Sequence, residues 1–152
     1  MLKRIIYLII LLVIFSCEKN NNSPNIVFIL ADDLGYGDLS SYGSETIETI
    51  NIDKLAENGV KLTSYYAAQP VCSASRAAIL TGVYPNRIGI YNAFGPTSDS
   101  GISYNEYTLA EMLKDNGYKT GIFGKWHLGS KKEFFPTNHG FDEFYGILYS
   151  ND

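Results

Sequence analysis

The feature that most constrains the fold is a continuous apolar run near the start of the sequence. Residues 25–31 read Asn-Ile-Val-Phe-Ile-Leu-Ala, so every position after the first is apolar. An apolar run of this length, without alternation, is typical of a parallel strand that is buried on both faces of a sheet. The sequence therefore predicts an α/β fold, in which a mostly parallel sheet is flanked by helices.

Two carboxylates, Asp32 and Asp33, directly follow this predicted strand. Ligands of open α/β sheets bind beyond the carboxyl ends of the strands, and carboxylates are ligands of hard cations. A helix N-cap or a solvated turn is the alternative explanation of an aspartate pair. Gly35 and Gly37 come next, but Ser40 occupies the third glycine position of a dinucleotide-binding fingerprint and excludes that interpretation.

A cysteine begins a short helix-forming run, residues 72–82, which reads Cys-Ser-Ala-Ser-Arg-Ala-Ala-Ile-Leu-Thr-Gly. Helical spacing i, i+4 places Cys72 and Arg76 on the same face, one turn apart. The helix N-terminus and the guanidinium together favour a bound anion, or the anionic form of a nucleophile at residue 72. A buried, small hydrophobic side chain is the alternative role of such a cysteine.

A lysine and a histidine follow another predicted strand, residues 118–123. The segment continues as Gly-Lys-Trp-His-Leu-Gly, and in an extended chain Lys125 and His127 point to the same side. Both would then lie near the carboxyl end of a strand, which is where ligands of parallel sheets bind. Taken singly, a lysine or a histidine is more often an ordinary surface or core residue.

The segments between these motifs carry ordinary signals of local structure. Residues 51–58 have a helical apolar face, and residues 60–66 alternate weakly and favour a strand. Residues 93–103 are rich in glycine, proline and serine and predict a surface loop. Thr108 and Glu111 form a capping box and predict the start of another helix.

Three blocks of the sequence together resemble the formylglycine-dependent sulfatase family: residues 24–38, 72–82 and 117–127. The family pattern usually has proline where this chain has Ala74. The resemblance extends over residues 24–152 and implies an alkaline-phosphatase-like α/β fold. It also implies an enzyme that hydrolyses sulfate esters, including those of sulfated saccharides. It covers only the amino-terminal part of the family's catalytic domain. We therefore expect an incomplete fold and a truncated chain with little activity by itself.

The resemblance also implies the chemistry of the site. In this family a maturation enzyme oxidises the cysteine to formylglycine, whose hydrated gem-diol attacks the sulfur of the ester. Cys72 is then the modified, catalytic residue. Asp32, Asp33 and the hydrated residue 72 would bind calcium. Lys125 would bind the sulfate and the modified residue, and His127 would deprotonate the gem-diol so that sulfate is released.

The remaining residues of the predicted site have supporting roles. Arg76 would offset the charge that develops on the transferring sulfuryl group. Ser150 matches a family serine that can hydrogen-bond the sulfate. His139 lies in a stretch, His-Gly-Phe-Asp-Glu-Phe-Tyr-Gly, that resembles a family segment packed beneath the site, and we expect it to have a structural role.

The first residues predict export. Lys3 and Arg4 precede an apolar run, residues 5–15, that is too short to span a bilayer. Residues 14–17, Ile-Phe-Ser-Cys, resemble a bacterial lipoprotein box, with cleavage before Cys17 and lipid on its sulfur. We therefore expect a signal peptide over residues 1–16, a polar tether over 17–23 and a lipid anchor in a bacterial membrane.

Composition narrows the possible partners. The chain has two cysteines, one expected to be lipidated and one modified, so no disulfide is predicted. A net charge of −4 argues against a nucleic-acid partner. Two alternatives stay open at this point. One is a phosphonate or phosphate monoester hydrolase of the same superfamily. The other is a lipid-anchored remnant, or a protein that binds carbohydrate through its twelve tyrosines, without catalysis.

Overall fold

The computed structural model describes residues 23–150, and the chain divides at Asp33 into an amino-terminal unit and a larger unit, Leu34–Asp152. The predicted signal peptide and Cys17 lie outside the described residues. Within those residues, the run at 25–31 forms no hydrogen-bonded ladder, and Val27 and Ile29 are about 80% exposed. The predicted strand is therefore not observed, because a strand needs a neighbouring strand to complete its backbone hydrogen bonds.

The first helix, α1, spans Ile50–Asn58 and is fixed at its start by a carboxylate. Asp53 accepts hydrogen bonds from the hydroxyl of Ser40, the backbone N–H of Ser41 and the hydroxyl of Thr49. These bonds, with that of Ser40 the largest contribution, hold the pKa of Asp53 below its ordinary value. Beyond α1, the strand predicted over residues 60–66 is wrong: the chain makes a turn there, and its side chains are exposed.

The second helix, α2, spans Cys72–Thr81 and carries the cysteine at its first position. It ends at Gly82, whose left-handed φ of 67° lets its N–H close onto the carbonyl of Ala78. Ala74 and Ala77 are fully buried, so this face of the helix packs closely against the core. The helix predicted to begin at the cysteine and to end near Gly82 is confirmed.

The third helix, α3, spans Leu109–Asp115 and begins with the predicted capping box. The Thr108 hydroxyl accepts from the N–H of Glu111, whose carboxylate accepts from the N–H of Thr108. Thr108 is almost completely buried, and its hydroxyl also lies 2.9 Å from the carbonyl of His139, to which it can donate. The capping residue therefore ties α3 to the segment before the second strand.

Two strands, β1 (Gly121–Lys125) and β2 (Glu143–Ile147), form a parallel sheet in the larger unit. Their register pairs Gly121 with Glu143 and Lys125 with Ile147. The observed strand β1 starts three residues later than the strand predicted from Tyr118. On one face Ile122 and Phe144 are partly buried against the core, and on the other Phe123 and Tyr145 are largely exposed.

The core lies between α2, the end of β1 and the connecting segments. Its buried members are Ala74, Ala77, Ile90, Ile102, Trp126 and Leu128. Trp126 also donates its indole N–H to the carbonyl of Phe134 at 2.8 Å, so its one polar atom is satisfied. Within residues 23–150, no helix has both the length and the apolar character needed to cross a membrane.

Candidate active site

The site is built where the start of α2 meets the end of β1. Cys72, the first residue of α2, is half-buried, and its sulfur lies 3.5 Å from the Nζ of Lys125, the last residue of β1. The first N–H groups of a helix have no partner within the helix, and the helix dipole adds partial positive charge there. The side chain of residue 72 therefore lies beside a helix N-terminus and an ammonium group.

Arg76 brings a second cation to the same region. It lies one turn after Cys72 on α2, and its Nη1 donates to the carbonyl oxygen of Lys125 at 2.5 Å. This contact joins the helix to the end of the strand and fixes the guanidinium against the backbone. The structure thus brings together three residues predicted from the sequence, in an arrangement suited to an anion or to a nucleophile that becomes anionic.

His127 lies two residues beyond β1 and is 4% exposed. Its Nε2 is 2.8 Å from the carbonyl oxygen of Phe94, and the N–H of Phe94 donates to the hydroxyl of Ser73 at 3.0 Å. The backbone of Phe94 therefore links His127 to the residue that follows Cys72. The aromatic ring of Tyr149 meets the imidazole edge to face, with centroids 5.0 Å apart.

Backbone strain marks two of the predicted site residues. Among residues 23–150, Asp33 and His127 are the non-glycine residues with positive φ, each at 57°. The left-handed conformation costs a side-chain-bearing residue roughly 1–2 kcal/mol. Such strain persists where the surrounding structure requires it, often at functional sites. At His127 it also ends the extended chain, so the alternation assumed for Lys125 and His127 does not hold.

The other residues predicted from the sequence differ in their burial and in their contacts. Asp32 and Asp33 lie in the amino-terminal unit, where both side chains are exposed. The hydroxyl oxygen of Ser150 is buried and has no hydrogen-bond partner among residues 23–150. His139 is fully buried in the larger unit and stacks on Tyr104 with centroids 5.5 Å apart.

Two residues at the site were not anticipated from the sequence. Ser73 was part of the cysteine motif without a role, and Phe94 lay in the segment predicted to be a surface loop. The available signal was the presence of Phe94 and Ile102, two large apolar side chains, in a segment otherwise rich in glycine, proline and serine. Both anchor the loop, since Phe94 packs on the core and Ile102 is fully buried.

Comparison with known proteins identifies the family. The family model described as Sulfatase matches residues 24–152. Arylsulfatase A of Bos taurus is 52% identical over 132 residues, which are 85% of this chain and 26% of that protein. Steryl-sulfatase of Homo sapiens is 47% identical over 156 residues, covering 93% of this chain and 27% of that protein. The chain thus spans about a quarter of the length of these curated relatives.

Solved structures agree on the fold. The crystal structure of Ps i-CgsB in complex with k-i-k-neocarrahexaose matches with a TM-score of 0.80 and 43% identity, over 84% of this chain and 28% of that chain. The predicted α/β class, with a parallel sheet flanked by helices, is confirmed. The chain therefore belongs to the formylglycine-dependent sulfatase family and corresponds to its amino-terminal portion.

Proposed function

We propose that this chain provides the nucleophile and the sulfate-binding cations of a sulfuric ester hydrolase. The observation that carries the proposal is the 3.5 Å contact between the Cys72 sulfur and the Lys125 ammonium at the N-terminus of α2. The sulfur stands in for the gem-diol oxygens that residue 72 carries after its oxidation to formylglycine and hydration. One hydroxyl of that group would attack the ester sulfur while the S–O bond to the alcohol breaks and the alcohol leaves. Deprotonation of the second hydroxyl would then break the C–O bond to sulfate, which leaves as the aldehyde re-forms.

The chain's own residues hold and stabilise the sulfate. Lys125, next to residue 72, and Arg76, joined to the Lys125 carbonyl, place two positive charges where negative charge develops on the sulfuryl group. Fixed cations are worth more than mobile ones because they need no reorganisation during the reaction. His127 is the base that accepts the proton from the second hydroxyl. Ser150, whose hydroxyl has no partner among residues 23–150, donates to a sulfate oxygen.

A calcium ion completes the proposal. The carboxylates of Asp32 and Asp33 are hard oxygen donors, which calcium prefers, whereas the thiol of an unmodified Cys72 is a soft donor that calcium does not favour. Oxidation of Cys72 replaces that sulfur with oxygen, so residue 72 would offer calcium a hard donor in the mature protein. Calcium would supply charge to polarise a sulfate oxygen.

The proposed substrate is a sulfated saccharide, and the proposed location is outside the cytoplasm. The solved relative Ps i-CgsB was crystallised with k-i-k-neocarrahexaose, an oligosaccharide by its name, which supports a saccharide here. Residues 1–16 as a signal peptide, and a lipid on Cys17, would place the protein on the outer side of a bacterial membrane. The remaining proposed partner is a formylglycine-generating maturation enzyme.

The test uses the protein isolated from its natural host, so that maturation has occurred. Trypsin releases a peptide, Leu62–Arg76, that contains residue 72, and formylglycine makes it lighter than the cysteine form. We expect this lighter peptide. Hydrolysis of aryl sulfates should be slow, since little activity is expected of this chain by itself, and Cys72→Ala should abolish it. Faster hydrolysis of aryl phosphates or phosphonates would contradict the sulfatase assignment in favour of a related esterase. An unmodified Cys72 would contradict the nucleophile.

A further inference from the structure

We propose that Ser73 and the backbone of Phe94 are a positioning device that fixes the tautomer of His127, with the proton on Nε2 and the lone pair on Nδ1. The catalytic meaning of this device rests on the function proposed above, whereas the tautomer is a property of the chain that can be measured without turnover. Neither Ser73 nor Phe94 would touch the sulfate ester in this scheme.

The tautomer follows from the chemistry of the contact. A carbonyl oxygen can only accept a hydrogen bond, so the 2.8 Å contact between Nε2 of His127 and the oxygen of Phe94 requires a proton on Nε2. In a neutral imidazole the other nitrogen, Nδ1, then carries the lone pair. Nδ1 is buried and has no hydrogen-bond partner among residues 23–150. It is the ring nitrogen left available to accept a proton.

The backbone of Phe94 is held from both sides. Its N–H donates to the hydroxyl of Ser73 at 3.0 Å, and its carbonyl accepts from His127. Ser73 is fully buried on α2, next to the nucleophile position, so the hydroxyl cannot exchange this partner for bulk water. The phenyl ring of Phe94 packs against the core and restricts the backbone further. The start of α2 therefore determines where the acceptor for His127 lies.

The backbone of His127 is fixed independently of its ring. Its N–H donates to the carbonyl of Leu148 at 3.2 Å, just beyond the paired ends of β1 and β2. Its φ of 57° sets the direction in which the side chain leaves the backbone. With the backbone held by the sheet and Nε2 held by Phe94, the ring has one orientation. Removal of the Ser73 hydroxyl releases only the second of these constraints.

The first measurement is nitrogen NMR of the host-derived protein with 15N-labelled histidine. The chain has two histidines, so His139→Phe assigns the signals. In the unsubstituted protein we expect His127 to show protonated Nε2 and unprotonated Nδ1 when neutral. In Ser73→Ala we expect this signature to be replaced by a mixture of the two tautomers. Ser73→Thr, which retains the hydroxyl, should restore the single tautomer.

Activity supplies the second measurement, expressed per mole of formylglycine because Ser73 borders the modified residue. We expect Ser73→Ala to lower kcat roughly 10- to 100-fold with little change in KM, since a misplaced catalytic group affects the reaction more than binding. The matched control is Ser103→Ala. Ser103 also accepts a backbone N–H, that of Asn105, but it lies in an exposed turn, so tautomer and kcat should not change.

The outcomes separate the two proposals. A proton on Nδ1 in the unsubstituted protein, or an unchanged tautomer in a folded Ser73→Ala variant, would overturn the positioning role. A protein that carries the expected tautomer, and loses it in Ser73→Ala, but hydrolyses no sulfate ester would support the positioning device and contradict the proposed function. If Ser73→Ala does not fold, the tautomer of the unsubstituted protein and of Ser73→Thr still decides the assignment.

Discussion

The two histidines of this chain are both buried, yet their surroundings differ in kind. His127 has a strained backbone, one ring nitrogen bound to the Phe94 carbonyl and the other without a partner among residues 23–150. It follows Lys125, which contacts the cysteine position, by two residues. The contact with Phe94 holds Nε2 and leaves Nδ1 without a partner among residues 23–150, which is the arrangement that a proton acceptor needs.

His139 is held by packing instead. Its ring lies near those of Tyr104 and Trp126, with centroids 5.5 and 6.0 Å away, and neither ring nitrogen has a hydrogen-bond partner among residues 23–150. Burial lowers the pKa of His139, and this effect exceeds the opposite effect of the Glu111 carboxylate. The side chain therefore behaves as a neutral aromatic ring, and its backbone carbonyl, bound to Thr108, carries the polar contact.

Both histidines are buried, so burial alone does not separate the proposed proton acceptor, His127, from His139. What distinguishes them is whether the structure controls the individual ring nitrogens. At His127 a polar contact and a costly φ angle define the state of the ring. At His139 the rings of Tyr104 and Trp126 fix where the imidazole lies, but no hydrogen bond among residues 23–150 fixes the state of its nitrogens.

Replacement of His127 should remove most activity while sparing stability. For His127→Asn we expect the hydrolysis of aryl sulfates by the host-derived protein to fall by roughly 10²–10⁴-fold, the usual contribution of a general base. Asparagine tolerates the left-handed conformation better than most residues, so the fold should persist. The measurement is kcat per mole of formylglycine, with the unfolding midpoint in urea as the check on stability.

The control for this prediction is the other histidine. His139→Phe should retain activity within about a factor of three, because the ring only fills space beside aromatic neighbours. A comparable loss in both variants would show that the two histidines do not differ in role. So would a His127→Asn variant that retains full activity at equal formylglycine content.

The fold was predictable where local chemistry and packing agree. The helix from Cys72 to Thr81 was predicted from its alanine-rich sequence and from Gly82, which ends it. The start of the next helix was predicted from the Thr108–Glu111 pair, and all of these are local signals. The strands were predicted less well. Residues 25–31 have the composition of a buried strand, but strand formation depends on a partner elsewhere in the protein, which local sequence does not contain. Residues 60–66 failed for the same reason.

The site was predictable in its residue types but not in its connections. The sequence identified Cys72, Arg76, Lys125 and His127, and the structure brings the first three into one cluster. The link from Ser73 through Phe94 to His127 joins residues that are distant in sequence through a main-chain N–H and carbonyl. Backbone groups are the same in every residue, so no sequence pattern identifies this contact.

The next largest effect should come from the capping residue that holds the His139 carbonyl. Thr108→Ala removes the acceptor for the Glu111 N–H and the donor to the His139 carbonyl. We expect it to lower the free energy of unfolding by about 1–2 kcal/mol, the usual cost of losing an N-cap. Thr108→Ser keeps both contacts and should recover most of the loss. An unchanged urea midpoint in Thr108→Ala would show that the cap contributes nothing.

His139 should also give the protein a pH dependence that His139→Phe removes. Because burial lowers the pKa of the folded histidine below 6.5, the unfolded chain binds the proton more readily. The free energy of unfolding should therefore be unaffected by His139 above about pH 7, and it should fall as the pH decreases through 6.5. In His139→Phe the urea midpoints at about pH 7.5 and about pH 5.5 should lie closer together than in the unsubstituted protein. Equal separation in both would contradict a neutral buried imidazole.

The smallest effect should appear at an exposed ion pair next to the His139 segment. Lys114 lies 2.7 Å from the carboxylate of Asp142, which also accepts the N–H of Thr120. Chiefly through Lys114, the pKa of Asp142 is lowered from 3.8 to about 2. This contribution to stability is present above pH 3.8 and is lost as the pH falls towards 2, a window well below that of His139. Lys114→Met should move the pKa of Asp142 back towards 3.8 without changing activity, and carboxyl NMR would measure this pKa. The control is Lys119→Met, which removes a weaker charge effect and should move the pKa less.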